Sequence, residues 1–405
     1  MIHSFSCKNL YSFGDLTTIN FVVNDNSPEN QSYFRDKSGT RLSKIETIIG
    51  PNASGKTNLI KTLALLKWLI VDSLNGKPDA PIPVKPFALG AKKKESTELS
   101  VVFEVNNKIY TYDFILNDTR IIAEELTLQS KAKNRVTRKK MFSRLWDDKA
   151  EKCIFSSRVF KFPSGFENIL RNNASVISTA NRLNHKDSQE ISHFWQNVET
   201  NIMTIEIPTD SIGSDSMASF VNQFMIFDFY SKNAAIKEAA EKILSRFDLG
   251  LAGFEIQKEN KGDGSPIQVK GGHIFEGKKE YFPFGYESSG TKKLFELLKP
   301  ILQALATGGV AVLDEIDVNL HPEMVIALFN LFSQPETNPK NAQVLFSTHS
   351  HLILNKLDKY QIILVEKNQN GVSEAWRLDE VVGVRPDDNY YSKYVAGAYG
   401  AVPKL

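Results

Sequence analysis

The spacing of apolar residues changes several times along this chain, and each change predicts a different kind of element. Apolar and polar positions alternate over Ile2–Phe21 and over Ser96–Gln129, which predicts antiparallel strands joined by turns. Between Gly165 and Arg246 apolar positions recur every three or four residues, which predicts several helices. Short, mostly apolar runs typical of buried parallel strands occupy 45–49, 309–313 and 342–346.

These patterns predict an α/β fold with an added antiparallel β layer and a helical insert. Strands return at Gly253–Lys258 and Ile267–Lys270, with a hairpin turn expected at 261–264. The polar segment Asn24–Arg41 is predicted to be an exposed loop. We expect one discontinuous α/β domain interrupted by an insert: an N-terminal half over 1–160, a helical insert or lid over 161–248, and a C-terminal half over 249–405.

Composition is that of an ordinary globular protein. Of 405 residues, 41% are hydrophobic and 24% are charged, and the formal net charge is +2, so any nucleic-acid surface must be local. The most apolar segment, Leu59–Leu74, is interrupted by charged residues, and the N-terminus lacks the layout of a signal peptide. We therefore expect no membrane association and a cytoplasmic location.

Patterns typical of metal binding are scarce in the sequence. Cys7 and Cys153 are the two cysteines and form no C-x-x-C motif, which favours a reducing compartment and argues against structural zinc. His349 and His351 have the spacing of a metal pair, but residues two apart on any strand share a face. A phosphate contact is the preferred interpretation for His349.

One glycine-rich stretch has the pattern of a phosphate-binding loop. It follows the predicted strand Ile45–Ile49 and precedes a predicted helix from Lys56 to Leu74. Backbone N–H groups of such a loop surround nucleotide phosphates, Lys56 would reach the β- and γ-phosphates, and Thr57 would offer its hydroxyl to Mg²⁺. The loop consists of Gly50, Pro51, Asn52, Ala53, Ser54, Gly55, Lys56 and Thr57.

Two acidic residues end the apolar run at 309–313. Carboxylates at the carboxyl edge of a strand beside a phosphate loop supply what nucleotide hydrolysis needs. We predict that Asp314 holds Mg²⁺ and that Glu315 orients and deprotonates the attacking water. The run at 342–346 leads to His349, which can donate a hydrogen bond to a γ-phosphate.

Ser288, Ser289 and Gly290 precede a second helical run. They would cap that helix, and they would equally form a second anion site at its N-terminus. The densest basic run extends from Lys131 to Arg144 and is either a nucleic-acid or acidic-partner surface or a solvated hairpin tip. The hairpin tip is preferred because few aromatic residues are interleaved.

Together these motifs resemble those of ATP-binding-cassette-type ATPases of the structural-maintenance-of-chromosomes (SMC) and RecF kind. The resemblance is closer to stand-alone bacterial ATPases of the RloA and abortive-infection group, which are related to the ATPase half of OLD-family proteins. Besides the motifs above, it rests on the opening strand, on Asn319-Leu320-His321-Pro322 and on the C-terminal stretch 394–403.

The resemblance implies a P-loop NTPase with an ABC-ATPase-like head that hydrolyses ATP with Mg²⁺. It implies a homodimer or higher homo-oligomer in which Ser289 and Gly290 of one subunit contact the γ-phosphate held by Lys56 of the other. It also implies a regulatory role in bacterial anti-phage defence, with a separately encoded effector, for example a nuclease. The rivals are a DNA-repair ATPase that binds nucleic acid and a nucleotide-gated scaffold with little turnover.

The sequence departs from these families in several places. Val318-Asn319-Leu320-His321 stands where transporters have a loop that ends in aspartate, and Gln129 is the candidate for the glutamine that senses Mg²⁺. No long heptad run is present, so a coiled-coil arm is not expected. The stretch after His349 has no D-x-D motif, which argues against a C-terminal nuclease domain of the OLD type.

Overall fold

The computed structural model describes residues 1–90, 95–132, 135–202, 225–247, 250–258 and 267–403. The strands, numbered along the chain, are β1 Ile2–Lys8, β2 Thr17–Asn20, β3 Tyr33–Arg35, β4 Arg41–Ser43, β5 Ile45–Ile49, β6 Thr97–Val105, β7 Lys108–Leu116, β8 Ile121–Ala132, β9 Arg135–Asp147, β10 Lys152–Ser157, β11 Val198–Thr200, β12 Leu251–Lys258, β13 Ile267–Phe275, β14 Lys278–Pro283, β15 Val310–Leu313, β16 Gln343–Ser347, β17 Ile362–Lys367 and β18 Ser373–Arg377. The α-helices are α1 Lys56–Lys67, α2 Val176–Arg182, α3 Lys186–Gln196, α4 Ala234–Phe247, α5 Ser289–Thr307, α6 Pro322–Ser333 and α7 Tyr390–Val395, and residues 225–232 are also helical.

The larger sheet is antiparallel and has the order β10-β9-β8-β7-β6-β1-β2. The meander predicted over 96–129 forms its centre as β6, β7 and β8, because alternating apolar residues let one face pack on the core. The sheet extends two strands further than predicted. The antiparallel β layer is therefore confirmed.

The second sheet has the order β11-β15-β16-β5-β17-β18, and all pairs are parallel except β17 with β18. Its faces are covered by two different hydrophobic cores. Val310 and Val312 of β15 pack into the core shared with the antiparallel sheet, whereas Ala311 and Leu313 pack into the core shared with α5 and α6. Burial on both faces explains why these strands are continuously apolar.

A buried glutamine joins the two sheets. The Gln343 side chain accepts a hydrogen bond from the backbone N–H of Ile2 (2.7 Å) and donates to the carbonyls of Ile2 (3.0 Å) and Ser43 (3.1 Å). A fully buried amide is tolerated here because its oxygen and its nitrogen both have partners. The parallel sheet that carries the candidate site is thus tied to the first strand of the antiparallel sheet.

The structure corrects several sequence expectations. The segment 24–41 is not only loop, because β3 and β4 pair as a short hairpin at its end. Val198, assigned to a helical pattern, lies in β11 and pairs with β15 at the edge of the parallel sheet. The predicted first helix is regular only to Lys67 and continues as a π-helical turn over Trp68–Asp72.

The remaining predicted elements differ mainly in extent. The insert predicted at 161–248 does contain α2, α3 and α4; its positions 203–224, including Phe220 and Phe224, and the turn at 261–264 lie outside the described residues. β14 follows β13 in a third, three-stranded sheet. In the part of the chain that the structure describes, no helix has the length and apolar character to span a membrane.

Candidate active site

The site is built at the carboxyl edge of three neighbouring parallel strands. β15, β16 and β5 lie side by side, so the chain segments that follow them emerge at one edge of the sheet. Those segments carry Glu315, His349 and the phosphate-type loop. One cavity of about 540 Å³ is lined by Glu315 and His349 together with Asn52, Ala53, Ser54, Gly55, Lys56, Thr57, Asn58, Val318 and Lys367. Gly50, Pro51 and Asp314 are not among its described lining residues.

Two glycines of the loop stand where no other residue fits. A Cβ on Gly50 would lie 2.0 Å from the carbonyl oxygen of Val365, and a Cβ on Gly55 would lie 2.4 Å from Ser373 Oγ. Gly55 also has a φ of 117°, which side chains disfavour. Both glycines of the sequence pattern are therefore required by the packing of the loop.

The loop is held from behind by residues that the sequence motif does not include. Ser373 Oγ donates a hydrogen bond to the carbonyl of Ser54 (2.5 Å) and contacts Ser12 Oγ (2.8 Å). The Asn58 amide donates to Ser12 Oγ (2.9 Å). Ser12 and Ser373 are 361 positions apart, so no local sequence signal could have found this support.

Lys56 lies at the first position of α1 and folds over its own loop. Its ammonium donates to the carbonyls of Gly50 (2.8 Å) and Pro51 (2.9 Å). Burial lowers the pKa of Lys56, and the carboxylates of Asp314, Glu315 and Asp317 partly offset that effect. The ammonium therefore sits close to the acidic groups that the sequence assigned to the same chemistry.

Ser347 holds both acidic residues in place. Its hydroxyl donates to Asp314 Oδ1 and accepts from the backbone N–H of Glu315 (2.8 Å). The Asn201 side chain also binds the backbone of Asp314. Its amide oxygen accepts from the Asp314 N–H (2.8 Å), and its amide nitrogen donates to the Asp314 carbonyl (2.9 Å). Glu315 has a left-handed φ of 49°, a strained conformation of the kind that clusters at functional sites.

The acid and the histidine face each other across the cavity. His349 Nε2 lies 3.9 Å from Glu315 Oε1, and both side chains are partly exposed, at 37% and 51%. The backbone N–H of His349 donates to both carboxylate oxygens of Asp317 (3.1 and 3.0 Å). Asp317 was missed by the sequence analysis and fixes the turn that presents His349.

Ser288, Ser289 and Gly290 are not among the described residues that line this cavity. Ser288 caps α5, because its hydroxyl accepts from the backbone N–H of Thr291 (3.1 Å), and Ser288 and Ser289 are exposed. A Cβ on Gly290 would lie 2.9 Å from the carbonyl oxygen of Asn319. The start of α5 therefore abuts the segment that follows Glu315 and faces outward.

The remaining candidates are placed as follows. Gln129 is not among the cavity-lining residues of the described chain, and its amide donates to Thr111 Oγ1 (2.6 Å) within the antiparallel sheet. His321 caps α6 by accepting from the backbone N–H of Glu323. His351 packs against the Tyr394 ring, and burial, with smaller contributions from His349 and Lys56, lowers its pKa.

The basic run is split by the structure. Arg144 is buried and lies 2.7 Å from Glu124, and Lys140 pairs with Glu125, whereas Arg138 and Lys139 are exposed on β9. Positions 133 and 134 lie outside the described residues. The run is a strand rather than only a hairpin tip, and among its described side chains Arg144 is turned into the core while Arg138 and Lys139 are exposed.

Two of the solved structures that are similar to this chain are SMC heads, at low sequence identity. The SMC head domain from Thermotoga maritima is 16% identical, with 93% of this chain and 98% of that one covered and a TM-score of 0.41. The Pyrococcus furiosus SMC head domain with an extended coiled coil, bound to the C-terminal domain of ScpA, is 14% identical, with 94% and 97% covered and a TM-score of 0.45. No curated protein matches the chain.

A family model matches residues 47–355, which run from the strand before the phosphate loop to just beyond His349. Its description is "AAA domain, putative AbiEii toxin, Type IV TA system". The match covers well over half of the chain and includes the loop Gly50–Thr57, Asp314, Glu315 and His349. The chain therefore belongs to this AAA-domain family of P-loop ATPases.

Proposed function

We propose that the protein binds ATP at the Gly50–Thr57 loop and hydrolyses it with Glu315 as the general base. The observation that carries this proposal is that Lys56, Thr57, Glu315 and His349 line one cavity although they come from three separate strands. A phosphate loop, an acid and a histidine at one sheet edge are the parts that phosphoryl transfer to water requires.

The donor set at this edge suits Mg²⁺. Thr57 lines the cavity, and Asp314 directly follows β15, two strands away in the sheet from β5, with its carboxylate oriented by Ser347. Hydroxyl and carboxylate oxygens are ligands that Mg²⁺ prefers. When bound there, Mg²⁺ would neutralise charge on the phosphates.

Each protein side chain then has a defined task. Lys56 would leave the carbonyls of Gly50 and Pro51 to bind the β- and γ-phosphates, which satisfy its ammonium better because they are charged. Glu315 would accept the proton of the attacking water. His349 lies 3.9 Å from Glu315, and its backbone N–H is held by Asp317. Its imidazole would donate a hydrogen bond to the γ-phosphate.

Phosphate release by purified protein tests this assignment. Lys56→Ala and Glu315→Gln should each lose on the order of a hundredfold or more in turnover, because charge stabilisation or water activation is removed. Glu315→Gln should still bind ATP. Lys77→Ala and Glu336→Gln, both on exposed side chains, are matched controls and should retain full activity. Turnover by Glu315→Gln near the parent rate would exclude Glu315 as the base.

We also propose that two copies sandwich ATP between them. Ser289 and Gly290 lie at the exposed start of the 19-residue helix α5 and outside their own chain's cavity, where they can meet a nucleotide held by a second copy. Light scattering of Glu315→Gln should show a shift from about one chain to about two on adding Mg-ATP. A mass that does not respond to nucleotide would contradict the sandwich.

At the level of the cell, we propose that the chain is a cytoplasmic regulator in bacterial anti-phage defence and acts through a separately encoded effector. Expression of the chain alone should then neither arrest growth nor protect against phage, and protection should require both the effector and Lys56. Growth arrest by the chain alone, abolished by Lys56→Ala, would instead identify it as the toxic component. Negligible turnover with tight ATP binding would favour a nucleotide-gated scaffold.

A direct nucleic-acid role has less support. Arg138 and Lys139 are exposed on β9, but Arg144 on the same strand is buried in an ion pair with Glu124 and is not accessible to a nucleic acid. A nucleic-acid role would be supported if DNA stimulated ATP hydrolysis and if charge reversal of Arg138 and Lys139 abolished that stimulation.

A further inference from the structure

Three titratable side chains from distant parts of the chain meet away from the nucleotide cavity. They are His3 on β1, Asp36 in the turn between β3 and β4, and Glu104 on β6. His3 Nε2 lies 3.5 Å from Asp36 Oδ2 and 3.7 Å from Glu104 Oε2, and one ligand atom from each residue lies within 4.8 Å of the others. All three residues are buried, at 5%, 7% and 8% exposure.

Two of the converging atoms have no hydrogen-bond partner among the described residues. They are His3 Nε2 and Glu104 Oε2. His3 Nε2 lies 3.5 Å from Asp36 Oδ2 and 3.7 Å from Glu104 Oε2, both beyond the 2.7–3.2 Å usual for an N–H···O hydrogen bond. Buried polar atoms are nearly always satisfied, so the gap between these groups calls for a further atom.

The backbone aims these side chains at one point. The pairing of β1 with β6 shifts between Ile2, opposite Phe103, and Ser4, opposite Val102, so His3 is the extra residue of a β-bulge. Bulges re-aim a side chain and are conspicuous next to functional sites.

The carboxylate of Asp36 is also held in a fixed orientation. Its Oδ1 accepts from the backbone N–H of Thr40 and from the Ser38 hydroxyl, both at 2.8 Å. Outer hydrogen bonds of this kind orient the carboxylates that ligate metals.

We propose that His3, Asp36 and Glu104 bind one divalent transition-metal ion of the Zn²⁺ class. Ligands about 2.0–2.2 Å from a tetrahedral ion lie roughly 3.3–3.6 Å from one another. The separation of 3.5 Å falls within this range and that of 3.7 Å lies 0.1 Å above it. One imidazole with two carboxylates favours Zn²⁺ or Mn²⁺ over Mg²⁺ and Ca²⁺, which prefer oxygen ligands alone.

The ion would clamp three elements and keep one open position. β1, the Asp36 turn and β6 would be fixed to one another, and three protein ligands leave a fourth site for water. Glu104 also lines a cavity of about 590 Å³, which gives an ion a route in from solvent. The sequence could not reveal this site, because its three residues have no local spacing pattern.

Metal content without nucleotide tests the proposal. Protein stripped with chelator and dialysed against Zn²⁺, and in parallel against Mn²⁺, should retain about one ion per chain by mass spectrometry. His3→Gln and Asp36→Asn should each weaken Zn²⁺ binding by about a hundredfold or more. His273→Gln is the matched control, because His273 pairs with Glu287 at 2.8 Å and belongs to no three-ligand group among the described residues, and it should bind as the parent does.

Two further readouts separate a lost ligand from a misfolded variant. Circular dichroism should show Asp36→Asn folded, and Zn²⁺ should raise the melting temperature of the parent and of His273→Gln but not that of Asp36→Asn. X-ray absorption at the zinc edge should show one imidazole with oxygen ligands. Failure of the parent to retain stoichiometric Zn²⁺ or Mn²⁺, or equal retention by His3→Gln and Asp36→Asn, would overturn the site and leave His3 as a buried ion-pair partner of the two carboxylates.

Discussion

Replacing Arg144 by methionine should destabilise the protein far more than replacing its exposed neighbours on the same strand. Its guanidinium lies 2.7 Å from Glu124, both side chains are at most 2% exposed, and it donates to the carbonyls of Arg171 (3.1 Å) and Ala174 (2.7 Å). Glu124 also accepts from Tyr112 and from the first backbone N–H of α2.

The expected magnitude follows from what remains after the substitution. Arg144→Met leaves the Glu124 carboxylate buried without its counter-charge, which costs about 3–5 kcal/mol. Burial already raises the pKa of Glu124 and Arg144 opposes that rise, so losing the guanidinium drives the carboxyl toward its protonated form. Glu124→Gln in the same chain should therefore recover part of the loss, with a coupling energy of about 1–3 kcal/mol.

Urea unfolding followed by tryptophan fluorescence measures this prediction. Lys139→Met, on an exposed side chain of the same strand, is the matched control and should change the unfolding free energy by less than about 0.5 kcal/mol. If Arg144→Met costs no more than Lys139→Met, the buried ion pair does not stabilise the fold. Arg144 would then have to be tested as a contact for nucleic acid or for an acidic partner.

Three further predictions concern one glycine of the phosphate loop and two fully buried polar side chains. Gly55→Ala should abolish ATP binding in a fluorescent-nucleotide titration, because its Cβ would meet Ser373 Oγ at 2.4 Å; binding near the parent affinity would refute the packing argument. Gln343→Leu should cost about 1–3 kcal/mol in urea unfolding, because the N–H of Ile2 and two carbonyls lose their partner; a cost below about 0.5 kcal/mol would count against the bridge between the sheets. Burial raises the pKa of Glu46 well above its ordinary value. Stability should therefore fall above pH ~4.5 by up to about 1.4 kcal/mol per unit until the folded pKa is reached, and a Glu46→Gln variant melted over the same pH range should lose this slope.

The parallel sheet and its site were predictable because the signals are local. The loop Gly50–Thr57, the acids that end β15 and the histidine after β16 each follow an apolar run, and parallel strands place all their carboxyl ends at one edge. The alternation over 96–129 likewise predicts its own meander, since alternate residues of a strand share a face.

What the sequence could not supply depends on long-range packing. Through contacts between distant segments, Ser12 and Ser373 support the loop, Asn201 supports Asp314, and Asp317 supports the turn that presents His349. Val198 continues a helical spacing of apolar residues, yet the carbonyl of its neighbour Asn197 accepts from Val310 and draws the chain into the sheet. Tertiary pairing overrides local periodicity there.

Mixing two inactive variants tests the central claim most directly. Lys56→Ala lacks a working phosphate loop and Ser289→Arg lacks the start of α5, so each alone should release little phosphate from ATP. In a mixture, a mixed pair has one complete site, formed by the loop of the Ser289→Arg chain and the helix start of the Lys56→Ala chain. Random pairing predicts recovery to about a quarter of the parent rate. A mixture no more active than its components, or full activity of Ser289→Arg alone, would contradict a site shared between two chains.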